Sequence, residues 1–285
     1  MSKVVFISDM FVEQYRGGAE LTTEALIYGG YARKHEIAKA LSTQVTIPLI
    51  EQAKDAHYVV CNFAGLDNKV KLYMCKNVNY SIIEYDYKFC EYRSMKKHEA
   101  ATGNPCDCVE QMSGKLNSAF YGYASKVWFM SEGQKEIFLS KIPVLKEERC
   151  EVLSSTFAAG DLRFMNSIKD NEKNDKYLIL GSQSWIKGTK QCTEYAQENN
   201  LEFEIVQGLP YHELLIKMST SKGLIFLPLG YDTCPRFVIE AKLLGCDVII
   251  NDHVQHANES WFDSQESCYK YLAERPSVFW SHYEQ

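Results

Sequence analysis

The chain has 285 residues, 46% hydrophobic and 24% charged, ordinary values for a globular protein with a real core and enough length for two modest domains. A formal net charge of −6 excludes a global basic field that would draw nucleic acid or anionic membrane, although a local basic cleft stays open. The longest apolar runs, such as GLIFLPLG, are far too short to span a bilayer, so no transmembrane segment is expected.

The N-terminus, MSKVVFISDM, starts directly on a strand and lacks a secretory apolar region and cleavage site. Ten cysteines in that setting read as reduced thiols of a cytoplasmic protein rather than a disulfide framework. Lys3 to Ser8 is the first expected strand, followed by a loop, then Gly17 and Gly18 at the head of a helix. Two glycines there permit close approach of backbone to a ligand; a plain strand–helix turn fits them equally well. His35 to Ser42 reads as a helix, and 44–47, 57–63 and 79–84 as strands. The polar, aromatic and irregular stretch from Tyr85 to Cys108 follows a strand, which places Asp86, Arg93, Lys96, Lys97 and His98 at a carboxyl edge. A helix over 109–123, a strand over 126–130, a helix capped by Ser131 and a strand over 148–154 complete this half.

Residues 161–175 are polar, charged and poor in apolar periodicity, and read as a linker. The pattern then restarts: strands at 176–180, 203–206, 223–227 and 248–250 alternate with helices at 187–199, 211–218 and 236–244. Strand–helix alternation on both sides of one linker predicts an α/β protein of two Rossmann-like doubly wound domains facing a cleft. Two short helices are expected in the tail.

Several polar residues stand where ligands bind in such folds, at the carboxyl ends of the strands. Asp232 lies in the loop before the last helix and Glu240 within it, eight positions on, so both can point to a similar side. A loop-capping residue plus a solvated helix acid is the alternative. Lys187, just before Gly188 and a helix start, suits a diphosphate or is a plain surface lysine. Arg236 opens its helix, where a cation costs about 0.3–1 kcal/mol; a negatively charged ligand at that point would relieve the conflict. Asp86 is a candidate proton handler or a loop-structuring residue. Cys90, Cys106 and Cys108 invite a zinc reading, but a C-x-C pair lacks the usual C-x2-C spacing and no second cysteine pair follows, so no metal is expected.

Taken together, these pieces resemble the GT-B glycosyltransferases, specifically family 4 of the retaining nucleotide-sugar enzymes, over most of the chain. RGGAE at Arg16 to Glu20 looks like the family's glycine pair. EYDYKFCEYR at Glu84 to Arg93 occupies the place of its His-Asp pair, and FMSEGQKE at Phe129 to Glu136 looks like its next helix opening. LGSQSWIKG at Leu180 to Gly188 resembles the donor-phosphate loop, and DTCPRFVIEA at Asp232 to Ala241 resembles the E-x7-E segment. The sequence departs from the family at Asp232, one methylene shorter than the usual acid, at Tyr85 in place of the histidine, and at Ser182 or Gln183 in place of the loop arginine.

The resemblance implies a cytoplasmic, metal-independent, retaining transferase with a nucleotide diphosphate sugar as donor and no further cofactor. Gly17 and Gly18 would approach the donor, Lys187 would contact the diphosphate, Glu240 the ribose and Asp232 the transferred sugar. Asp86 and Asp232 would be the catalytic residues, and Arg236 would supply the charge missing from the phosphate loop. The implied division is an acceptor-side domain at 1–160, a linker at 161–175, a nucleotide-sugar-binding domain at 176–262 and C-terminal helices at 263–285 that can pack back on the first domain. A glycan or small-molecule hydroxyl is the expected acceptor. Hydroxymethylated DNA bases form a second acceptor class, against which the net charge argues. A non-catalytic sugar-nucleotide or glycan-binding module is the reading from another class of function.

Overall fold

The structure, a computed structural model, describes residues 3–284. The chain divides into two compact units, one of Met1–Ala158 with Arg275–Gln285 and one of Ala159–Glu274.

The first unit is built on six parallel strands: β1 (Lys3–Ser8), β2 (Glu36–Leu41), β3 (His57–Val60), β4 (Tyr80–Glu84), β5 (Lys126–Phe129) and β6 (Cys150–Val152), in the order β2-β1-β3-β4-β5-β6. Interleaved in the chain are α1 (Gly18–Ala32), α2 (Ile47–Gln52), α3 (Asn68–Asn77), α4 (Met95–Thr102), α5 (Met112–Tyr123) and α6 (Glu132–Lys141). The central strands are near-continuous runs of Val, Ile and aromatic residues because both their faces are covered; Phe6, Ile7, Val59, Val60, Ile82, Ile83, Val127 and Phe129 are fully buried.

The second unit has β7 (Tyr177–Leu180), β8 (Phe203–Val206), β9 (Gly223–Phe226) and β10 (Asp247–Ile250), all parallel, in the order β10-β9-β7-β8. Its helices are α7 (Ala159–Ile168), α8 (Thr189–Glu198), α9 (Tyr211–Ser219), α10 (Arg236–Leu243) and the start of α11 (Gln265–Ser281). Tyr177, Ile179, Cys192, Ala196 and Ile225 form a core cluster between sheet and helix.

Four local expectations are corrected. Residues 36–41 are a strand, not a helix: EIAKAL has helix-forming composition, but full pairing with β1 decides its conformation. The strand expected at 44–47 is a 3-10 turn followed by α2, which carries Pro in its first turn. The expected linker begins with α7, whose Leu162 and Met165 are buried; they stand one helical turn apart and supply the periodicity missed in the polar background. The tail is the single helix α11, which accommodates Pro276.

The end of α11 belongs to the first unit. Phe279 and Trp280 are fully buried there, and the indole Nε1 of Trp280 donates to the Leu26 carbonyl at 2.8 Å. Gly30 of α1 makes room for it, since a Cβ there would lie 2.3 Å from the Trp280 ring. Tyr283 reaches Ser81 of β4, with 2.6 Å between the hydroxyls.

Candidate active site

Parallel strands point all their carboxyl ends to one side, so the loops after them bring together residues distant in sequence. In the second unit this edge carries Lys187 and Asp232. Lys187 ends a 3-10 turn after β7, and Gly188 follows at φ +61°, where a Cβ would lie 2.1 Å from the Leu227 carbonyl oxygen. Only glycine passes there without strain. Thr189 secures the turn through its hydroxyl, which donates to the Leu180 carbonyl at 2.8 Å, and Leu229 N–H donates to the Ile186 carbonyl at 3.0 Å, tying the loop after β7 to the loop after β9. The result is an ion pair: Lys187 Nζ donates to Asp232 Oδ2 at 2.6 Å, with the ammonium 5.6 Å from the centroid of the Phe226 ring. Asp232 is itself anchored, its N–H donating to the His253 carbonyl at 2.9 Å. The two residues read from sequence as separate candidates thus form one unit, with the lysine side chain 29% exposed and the carboxylate 12%.

Glu240 lies on α10. Its Oε1 accepts from the Tyr211 hydroxyl at 2.8 Å and stands 3.3 Å from Arg236 Nε, while Arg236 Nη2 donates to the Tyr211 oxygen at 3.0 Å. Both Arg236 and Glu240 are buried. The cation at the helix N-terminus thus has partners within the fold, Glu240 one turn on and Tyr211. Burial raises the Glu240 carboxyl, against the opposing pull of Arg236 and the Tyr211 hydrogen bond. Tyr211 was missed in the sequence, where it is merely the first residue of a helix after Pro210.

In the first unit, Gly17 is the N-cap of α1 in an extended conformation and Gly18 begins the helix. Across the same sheet edge, Asp86 follows β4 inside a charged network. Glu84, the buried last residue of β4, accepts from Lys88 Nζ at 2.8 Å on Oε1 and from the Tyr121 hydroxyl on Oε2. Lys88 also donates to Asp86 Oδ1 at 3.1 Å, and Arg93 donates to Asp86 Oδ2, from Nε at 2.7 Å and from Nη2. Gln134 of α6 holds the backbone, donating to the carbonyls of Glu84 at 3.1 Å and Asp86 at 2.7 Å. Tyr85 bonds Thr23 of α1, 2.7 Å between hydroxyl oxygens. Although burial pushes the Asp86 carboxyl up, Lys88 and Arg93 bring it below its ordinary range. An ionised carboxylate gripped by two cations suits a fixed acceptor of hydrogen bonds better than a proton handler. Sequence reasoning missed Glu84 and Lys88; a glutamate closing the apolar run YSIIE was the available signal.

Burial raises the Glu84 carboxyl to about 7, with Asp86 adding to the rise and Lys88 opposing it. The folded value lies above the unfolded one, so folding takes up a proton between them. The stability contributed is present below about 4.5 and lost as pH rises through about 7. Glu84→Gln, neutral at every pH, should therefore show a smaller fall in unfolding midpoint than the parent chain between about pH 5 and about pH 8. Parallel curves would remove Glu84 as the titrating group.

Among the described residues no helix is long and apolar enough to cross a membrane. No protein-family model matches the chain. No curated protein matches it by sequence. Solved structures do match along nearly its whole length. Anabaena HepE in complex with UDP and glucose aligns over 99% of this chain and 95% of its own, with TM-score 0.53 and 11% identity. AviGT4, a glycosyltransferase involved in avilamycin A biosynthesis, aligns over 99% and 92%, with TM-score 0.55 and 12% identity. An alpha-glucosyltransferase in complex with UDP and a 13-mer DNA aligns over 97% and 90%, with TM-score 0.56 and 9% identity. Two parallel sheets with interleaved helices, matched over so much of both chains, give this protein the fold of the GT-B glycosyltransferases.

Proposed function

We propose that the chain is a retaining glycosyltransferase that takes a UDP-sugar as donor and a hydroxyl of a saccharide or other small glycan as acceptor. The observation that carries this reading is the Lys187–Asp232 pair at the carboxyl edge of the second sheet. A cation fixed beside a carboxylate matches a nucleotide diphosphate sugar: the ammonium for the diphosphate oxygens, the carboxylate for the sugar hydroxyls. Solved structures of the same fold, HepE and the alpha-glucosyltransferase, hold UDP, which favours uridine as the base.

In this reading Glu240 accepts ribose hydroxyls through Oε2, since the contacts with Tyr211 and Arg236 fall on Oε1. Arg236 is a positioning residue that orients Glu240 with Tyr211. Gly17 and Gly18 keep the chain free of side chains at the head of α1, where backbone approaches a bound ligand. Asp86, held ionised by Lys88 and Arg93, orients an acceptor hydroxyl. In the transfer the bond between the anomeric carbon and the β-phosphate oxygen breaks. The acceptor oxygen bonds to the same face of that carbon, and its proton passes to the departing UDP. The cation at Lys187 stabilises the charge that develops on the leaving oxygen.

Calorimetric titration with UDP, GDP and uridine tests the donor side. The parent chain should bind UDP. Glu240→Ala should weaken UDP and uridine alike by about tenfold or more, the loss of a charged hydrogen-bonding group to the ribose. Arg236→Ala should do the same through Glu240. No detectable binding of either diphosphate, together with no effect of Glu240→Ala, ends the proposal. Binding without turnover on a panel of donors and acceptors would instead identify a sugar-nucleotide-binding module.

A further inference from the structure

The stretch after β4 contains a second constellation that the transferase reading does not use. The ligand atoms of Cys90, His98, Cys106 and Cys108 all lie within 4.8 Å of one another. Cys108 Sγ is 3.8 Å from Cys90 Sγ and 3.3 Å from His98 Nδ1. Around a tetrahedral zinc, with Zn–S about 2.3 Å and Zn–N about 2.0–2.1 Å, two sulfurs stand about 3.8 Å apart and a sulfur and a nitrogen about 3.6 Å. These two edges therefore already have the dimensions of a metal-centred tetrahedron. Cys90, His98 and Cys108 are buried and Cys106 is half-buried.

Three short pieces of chain converge to make this arrangement. Cys90 lies in the turn after β4, its N–H donating to the Tyr87 carbonyl at 2.8 Å. Ser94 caps α4 through Lys97 N–H at 3.3 Å, which sets His98 on the first turn of the helix. Gly103 ends α4 at φ +73° and turns the chain back, bringing Cys106 and Cys108 to the same point. Gly114 of α5 lets that segment approach: a Cβ there would lie 1.8 Å from the Cys108 carbonyl oxygen. Asp107 Oδ1 stands 3.9 Å from His98 Nε2, the ring nitrogen that faces away from Cys108, beyond hydrogen-bond distance but on the side where a supporting carboxylate would act.

We propose that Cys90, His98, Cys106 and Cys108 form a closed, structural zinc site. Soft thiolates with one imidazole in tetrahedral array select zinc over hard cations. Binding is an exchange of protons for metal: one Zn²⁺ replaces the three thiol protons, giving a centre of net charge −1 with the neutral imidazole and releasing three H⁺. Cysteine spacing alone does not point to this site, because the fourth ligand would be a histidine on a helix. The site cross-links residues 90–108, the segment that also carries Arg93 and hence the grip on Asp86. It stands whether or not the donor reading does, because it makes no use of the second unit.

The test is metal analysis of the full chain purified under reducing conditions without chelator. About one zinc per chain is expected, and cobalt exchange should give the intense visible bands of a tetrahedral centre with thiolate charge transfer. Cys108→Ser and His98→Ala should lose the metal, while Cys268→Ser, a buried cysteine outside the cluster, should keep it. Folding of the variants is not needed for the decision, because the parent chain alone is decisive: chelator should lower its unfolding temperature and added zinc restore it. A reduced parent chain that takes up no zinc or cobalt after equilibration overturns the proposal, as does a native disulfide among Cys90, Cys106 and Cys108, or zinc retained by both ligand variants.

Discussion

Lys187→Ala should weaken UDP binding by about 10–100-fold and leave uridine binding unchanged, because a charged hydrogen bond to the diphosphate is worth about 1.5–3 kcal/mol. The ammonium is held ready at 2.6 Å from Asp232, over the face of Phe226, with enough exposure to be reached. Pre-positioning matters, since little side-chain entropy is left to lose when the phosphates arrive. Asp232→Asn should weaken UDP less, as Lys187 keeps its charge, and should act more on turnover through the sugar. Titration of UDP and uridine against both variants separates the roles. Equal losses for the two ligands on Lys187→Ala would mean that the lysine supports the loop and does not touch the diphosphate. This pattern differs from the one expected of Glu240 and Arg236, which act on the nucleoside and so affect both ligands.

The largest stability effect is expected at Lys88. It is buried between Glu84 and Asp86, at 2.8 and 3.1 Å, with its ammonium 5.5 Å from the Phe63 ring centroid. Removing one partner of a buried ion pair leaves a charge without compensation, at a cost of about 3–5 kcal/mol. Lys88→Met should therefore lower the thermal midpoint by about 10 °C or more for a unit of this size. The loss should grow with pH: without the lysine the Glu84 carboxyl rises further, and the neutral form that tolerates burial is lost as pH rises. Adding Glu84→Gln to Lys88→Met should recover part of the loss. A Lys88→Met chain with an unchanged midpoint would show the pair to be solvated in solution.

The regular parts of this fold were legible because burial on both faces forces a strand to be almost wholly apolar. KVVFIS, YLIL and GLIF admit no other reading, and the glycines and prolines between them mark the turns. The 36–41 strand was not legible, because Glu, Ala, Lys and Leu favour a helix and only pairing with β1 outweighs that preference. Of the site, the loop carrying Lys187 and the helix carrying Glu240 could be located from punctuation and periodicity. Which group faces which could not: Asp232 turned out to partner Lys187, and Arg236 to partner Glu240 and Tyr211. Such pairings depend on where separate loops end up after folding. The cluster around Cys108 was hidden for the same reason, its histidine lying eight residues from the first cysteine and eight from the second.

The path of α11 bears on the order in which the protein can be made. The second unit is one uninterrupted stretch, Ala159–Glu274, so all its residues have been synthesised before the chain re-enters the first unit. The first unit is in the opposite position: Phe279, Trp280 and Tyr283 fill its interior beside β1, α1 and β4, yet they are added more than a hundred residues after β6. A nascent chain stalled anywhere in the second unit thus carries an N-terminal sheet with an apolar vacancy where Trp280 belongs. Of the two units, the one whose strands are made first is the one whose core residues are completed last, against a simple N-to-C order of domain completion.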